Sequence, residues 1–215
     1  MPPVLRLCED TFCDDSLLAL PALPRMIFVV HGALTIADRT LRDGEAWHDE
    51  AALTMRADKA GATCWRFELT ARAVTDAAAA GVISREKLAA RLDTLPQGEL
   101  LLRGDSVGFP PGGCAYLHRH EGPGIRCLLE GGIRIDTHGR STSYGPGGAW
   151  YESGPEPVFA QAAPDRPSRF VRVMILPRAL IGKSSIQYVN QADKDKPRVQ
   201  QYKIFADVPI ERPTG

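Results

Sequence analysis

Between Phe109 and Glu152, glycine and proline cut the chain into pieces too short for ordinary helices. The Gly-rich run Phe109 to Gly113, the pair Gly131-Gly132 and the cluster Tyr144-Gly145-Pro146-Gly147-Gly148 each mark a turn. Leu128-Leu129-Glu130 and Ile133-Arg134-Ile135 read as two short strands joined through glycine, a hairpin with a close turn, and Ala149-Trp150-Tyr151-Glu152 reads as a further strand. Short strands at near-regular spacing predict a small antiparallel barrel or jelly roll.

The first of these strands carries chemistry. In Cys114-Ala115-Tyr116-Leu117-His118-Arg119-His120 the two histidines are two positions apart, so on a strand both imidazoles project from one face. Neutral imidazole suits zinc, copper, iron and nickel, and two ligands on one rigid strand are partly preorganised. The alternative is a pair of surface histidines in a turn-rich segment.

From about Asp105 to Leu176, a third of the chain, this pattern resembles the cupin superfamily, whose fold is a double-stranded β-helix, or jelly roll. Gly113, His118, His120 and Gly131 match the first cupin motif. The motif's glutamate falls on Gly124, while Glu121 lies next to His120 and would point to the other face of a regular strand. The second motif's histidine falls on Val158, or on Tyr151 in a shorter register. Two of the four usual ligands are therefore missing. The resemblance implies a divalent transition metal (Fe, Mn, Ni or Zn) on His118 and His120, with Glu152 as a substitute third ligand, since two histidines and a carboxylate leave coordination positions open. Glu152 could equally be a solvent-facing residue of an edge strand. His138 lies in a turn and is the weaker candidate.

The family's strand parity turns positions 124, 126 and 128 inward, which brings Arg126 beside the metal, where its fork could hold a carboxylate-bearing substrate. Arg126 could instead pair with Glu130 or Glu152. Tyr151 is a candidate acid, base or hydrogen-bond donor in the shorter register, and Tyr116 and Trp150 are candidate walls. The resulting expectation is a metal-dependent, dioxygenase-like enzyme acting on a small carboxylate-bearing molecule. The competing expectation is a non-catalytic small-molecule sensor with a vestigial metal site.

The chain also echoes itself. Val29-Val30-His31-Gly32-Ala33-Leu34-Thr35-Ile36 repeats the pattern and central glycine of Leu128 to Ile135, and Ala46-Trp47-His48-Asp49 parallels Ala149-Trp150-Tyr151-Glu152. Each copy closes on an arginine-bearing strand, Trp65-Arg66-Phe67-Glu68-Leu69 and Arg169-Phe170-Val171-Arg172-Val173-Met174. Such self-similarity predicts a duplicated, all-β chain of two cupin-like halves. The expected segments are a degenerate half over 1–70, a helical linker over 71–98, a metal-binding barrel over 99–180 and a C-terminal arm over 181–215. The linker rests on the Ala-rich run from Ala73 to Ala80 and on Ser84-Arg85-Glu86-Lys87-Leu88-Ala89-Ala90-Arg91-Leu92, which suit a helix. The first half lacks a His-x-His pair, and His31 and His48 read as structural. The terminal segment Gln200 to Phe205 alternates like a strand that pairs with its own barrel or with a neighbour, favouring a homodimer.

Composition narrows the field further. With 26 basic and 26 acidic residues the chain has no charge bias towards nucleic acid or anionic membrane. No apolar run approaches the roughly 20 residues that cross a bilayer, and the N-terminus lacks the pattern of a secretory signal, so a cytoplasmic location is expected. Five irregularly spaced cysteines form neither a disulfide framework nor a zinc motif.

Overall fold

The computed structural model describes residues 2–71 and 79–213. It divides into two compact units, Met1–Asp93 with Ile210–Gly215, and Thr94–Pro209. The first is built from β1 (Val4–Phe12), β2 (Leu17–Leu20), β3 (Arg25–Ile36), β4 (Arg39–Arg42), β5 (Ala46–Asp49), β6 (Leu53–Thr70) and β7 (Val82–Arg91). The second comprises β8 (Leu100–Phe109), β9 (Cys114–His120), β10 (Gly124–Glu130), β11 (Ile133–Thr137), β12 (Arg140–Tyr144), β13 (Ala149–Glu152), β14 (Val158–Ala162), β15 (Ser168–Pro177), β16 (Ile186–Tyr188) and β17 (Gln201–Ile210). Among the described residues there is no α-helix, and none long and apolar enough to cross a membrane.

The second unit consists of two five-stranded sheets, ordered β13-β10-β15-β8-β17 and β12-β11-β14-β9-β16, with antiparallel pairing along the registered ladders. Alternate residues of both sheets enclose a core of Val107, Leu128, Ile133, Trp150, Val158 and Phe170. The Gly131-Gly132 junction is not the expected hairpin. β10 pairs with β13 and β15, whereas β11 pairs with β12 and β14, so the chain turns a corner from one sheet to the other. Gly131 makes that corner at φ +84°, where an added Cβ would sit 2.3 Å from the Pro167 carbonyl oxygen, a contact only glycine avoids. Gly32 turns the matching corner of the first unit at φ +87°.

The first unit repeats the ladder order of the first of those sheets, as β5, β3, β6, β1 and β7 in turn. Its facing positions correspond as well. Arg25 lies between Asp49 and Glu68, and Ile27 between Trp47 and Arg66; in the second unit Gly124 lies between Glu152 and Met174, and Arg126 between Trp150 and Arg172.

The helical linker is not formed where the chain is described. Val82–Arg91 is strand β7, paired along its length with β1, with Leu88 opposite Leu7 and Ala90 opposite Leu5. The helix-favouring Glu86-Lys87-Leu88-Ala89-Ala90 yields to the free edge of β1, since intrinsic propensity is weaker than a full ladder of tertiary hydrogen bonds. Ala73 to Ala78 lie outside the described residues. At the far end, β17 pairs with β8 of its own sheet.

Candidate functional site

His118 and His120 project from β9 into the second unit and are 5% and 4% exposed. Their rings meet edge to face, with centroids 4.9 Å apart and planes at 83°. Each ring is anchored through Nδ1. That of His118 lies 2.7 Å from the Tyr116 carbonyl oxygen, which can only accept, so the hydrogen is on Nδ1 and the Nε2 lone pair is free. That of His120 lies 3.2 Å from the Ser185 hydroxyl. Burial lowers both pKa values, and for His120 the cations Arg126 and Arg172 deepen the shift well below the ordinary histidine value. Both rings are therefore neutral near pH 7, the state in which imidazole binds a metal.

Glu152 comes from β13, directly across the ladder from Gly124. A residue with a Cβ at 124 would meet the Val173 carbonyl oxygen at 2.6 Å and Arg126 Nη1 at 2.9 Å, so the position that resembles the motif's glutamate has no room for one. The carboxylate enters from the neighbouring strand instead. Trp150 Nε1 donates to Glu152 Oε1 at 2.9 Å, and Oε2 stands 3.7 Å from His120 Nε2 and 2.7 Å from Arg126 Nη2. Despite that short separation, Oε2 and Nη2 are buried without an aligned hydrogen bond. The pair is held by charge and has directional capacity to spare.

Arg126 is the buried cation of the site, with Nη1 donating to the Gly124 carbonyl oxygen at 2.7 Å. Desolvation lowers its pKa to about 10, against the attraction of Glu152. Arg172 lies beside it on the ladder and binds Asp105 through Nε at 2.7 Å and Nη2 at 3.0 Å. These four groups carry two positive and two negative charges in a nearly dry interior. A dication added there would leave it positive, a condition that an incoming anion relieves.

Two of the remaining sequence candidates stand elsewhere. Tyr151 alternates to the opposite side of β13 from Trp150 and Glu152, beside Ile125, so it does not face the imidazoles; the position opposite His118 is the buried Val158, the longer of the two registers. His138 sits at a left-handed turn at φ 50°, exposed, 3.7 Å from Glu156. Ser185 and the Arg172–Asp105 pair were not singled out from the sequence. Charges within the otherwise apolar runs Leu100–Phe109 (Arg103 and Asp105) and Ser168–Pro177 (Arg169 and Arg172) are a signal for the pair, while nothing marks Ser185.

Among the described residues no three metal-capable side chains are grouped closely enough to hold an ion as they stand. The donor set nevertheless fits a divalent metal: His118 and His120 offer neutral nitrogens, and Glu152 has an unsatisfied oxygen next to one of them.

No protein-family model and no curated protein sequence matches the chain. Solved structures do. An oxalate decarboxylase of Bacillus subtilis, described with Mn(II) centres, aligns with a TM-score of 0.64 at 11% identity over 89% of this chain and 73% of its own. The formate complex of Lactobacillus farciminis oxalate decarboxylase gives 0.64 at 12% identity over 89% and 82%. A cupin 2 conserved barrel domain protein of Leptotrichia buccalis gives 0.50 at 11% identity over 81% and 84%. Identities this low speak for architecture alone, and on that ground the chain is an all-β protein with the cupin jelly-roll fold.

Proposed function

We propose that the second unit is a metal-dependent enzyme site in which His118, His120 and Glu152 hold a divalent transition metal and Arg126 binds the carboxylate of a small substrate. The observation that carries this reading is the juxtaposition of two buried, Nδ1-anchored imidazoles with a carboxylate oxygen that lacks an aligned partner. Once bound, the metal would supply a Lewis-acidic, redox-capable centre with open positions, which suits dioxygenase-type chemistry.

The chain's own residues do the rest. Tyr116 and Ser185 fix the ring orientations, and Trp150 holds one oxygen of Glu152 while the other lies between Arg126 Nη2 and His120 Nε2. Were Glu152 to ligate a metal, Arg126 would be a desolvated guanidinium without its counter-charge, and its fork would fit a substrate carboxylate. Metal and anion thus bind with mutual support. The manganese of the B. subtilis neighbour and the formate of the L. farciminis complex are compatible with that chemistry. The matching ladders of the two units further support a duplicated, bicupin-like chain whose first half is a scaffold, and we extend the proposal to a cytoplasmic homodimer.

The test is elemental analysis of untagged protein beside a His118→Ala/His120→Ala double variant, after reconstitution with iron, manganese, nickel and zinc. Stoichiometric metal in the parent, lost in the double variant and weakened at least tenfold in Glu152→Ala, is the expected result. No metal in any sample would discard the enzyme reading. It would favour a metal-free small-molecule sensor, a reading for which the closed Arg126–Glu152 pair is the specific support.

A further inference from the structure

A cavity of about 270 Å³ opens in the second unit beside the imidazole site: Arg172, Asp105 and Ser185, the residue that anchors His120, line it, and neither histidine does. Its base is the buried Arg172–Asp105 pair and its wall includes Arg103, which binds Asp207 at 2.8 Å and the carbonyl oxygens of Lys183 and Leu180. Both of these arginines are saturated by their own carboxylates. The rim is different. Lys183 and Arg198 also line the cavity, both are exposed, and among the described residues neither has a carboxylate partner; Arg198 rests only on the ring of Tyr188, 5.6 Å from its centroid. Two uncompensated cations thus face one small space. The same cavity is lined by the ring of Tyr202 and the apolar side chain of Ile204, left 46% and 57% exposed.

We infer that this cavity is a binding site for a small organic carboxylate with an apolar body, its charge held by Lys183 and Arg198 and its hydrocarbon or ring laid against Tyr202 and Ile204. Two cations without counter-charges select an anion. Arginine's planar fork matches a carboxylate, and the apolar wall favours a body that a bare inorganic anion lacks. The volume lies at the small end for ligand sites, which limits the guest to a compact acid. Arg126, His118, His120 and Glu152 do not line the cavity, so the proposed binding needs no metal, although Ser185 and Arg172 adjoin the imidazole site.

The experiment is calorimetric titration with benzoate and with hexanoate, against inorganic phosphate, of the intact chain and two double variants. The parent should bind benzoate or hexanoate once per chain, and more tightly than phosphate. Lys183→Ala/Arg198→Ala should weaken that binding at least tenfold, while Arg134→Ala/Arg140→Ala, a charge-matched control on exposed cations that do not line the cavity, leaves it within twofold. Both substituted rim residues are exposed, and an unchanged circular dichroism spectrum and melting temperature will show the variant folded. Absence of binding, equal binding by the rim variant, tighter binding of phosphate, or an equal loss in the control variant would each overturn the proposal.

Discussion

The interiors of the two units solve one problem in opposite ways. In the first, charges at the facing positions form a closed net: Glu68 accepts from Arg6, Arg25 and Arg66, and Arg66 also donates to both oxygens of Asp10, one of which accepts from the Ser84 hydroxyl as well. In the second, the place of Arg25 is taken by Gly124 and that of Glu68 by Met174, which opens the net and leaves Arg126 and Glu152 facing each other. Trp47 donates to Asp49 at 3.4 Å as Trp150 donates to Glu152 at 2.9 Å, so the tryptophan–carboxylate device is kept while its surroundings change. The histidine strand diverges similarly, with His118 opposite Val158 and Leu20 opposite Leu53. One scaffold therefore yields an interior whose buried arginines and carboxylates close into a net and one in which Arg126 and Glu152 keep polar atoms without an aligned hydrogen bond.

The largest effect should come from breaking the closed net. Glu68→Gln removes the charge on which three buried arginines converge and should destabilise the protein by about 3–5 kcal/mol, whereas Met174→Leu at the matching position should cost less than about 1.5 kcal/mol. Urea denaturation compares them, and equal losses would show that the two interiors are not energetically distinct. Next in size, Val158→His should add a nitrogen opposite His118 and tighten metal binding at least tenfold, about 1.4 kcal/mol, while Leu20→His should create no site in the first unit. Competition with a chelating dye reads both.

The smallest expected effect is on pH dependence. The buried imidazoles resist protonation, but in the unfolded chain they protonate near pH 6.5, so metal-free protein should lose stability as the pH falls below that value. The melting temperature should be lower at pH 5.5 than at 7.5, with a flatter profile in His118→Ala/His120→Ala. The slope that remains in the variant includes His48 of the first unit, whose pKa is lowered by burial as well. An identical profile in parent and variant would mean that the His118 and His120 rings are not buried as described.

Much of this was legible in the sequence because it is written in short-range pattern. Glycine and proline spacing gave the strands, the two-residue interval placed His118 and His120 together, and the Ala-Trp echo marked Trp47 and Trp150 as matching positions. What escaped is long-range. A helix-favouring stretch at 82–91 pairs with β1 nearly eighty positions away, and the Gly131 junction joins two sheets because its partners are chosen elsewhere. The gap at Gly124 was visible as a missing glutamate, yet its cause is the carbonyl of Val173 on a distant strand. Ser185 carried no mark at all, since a hydroxyl in a polar tail gains meaning only from the ring beside it.

That hydroxyl has a consequence for how the molecule could be dissected. His120 keeps Nε2 on the Glu152 side only while something holds the far side of the ring, and the holder comes from a segment sixty-five residues downstream, just before β16. A fragment trimmed after β15 would keep the core of the barrel and lose the clasp, leaving an imidazole free to turn over and offer the wrong nitrogen. The tail thus supplies a residue that orients a buried ring of the barrel.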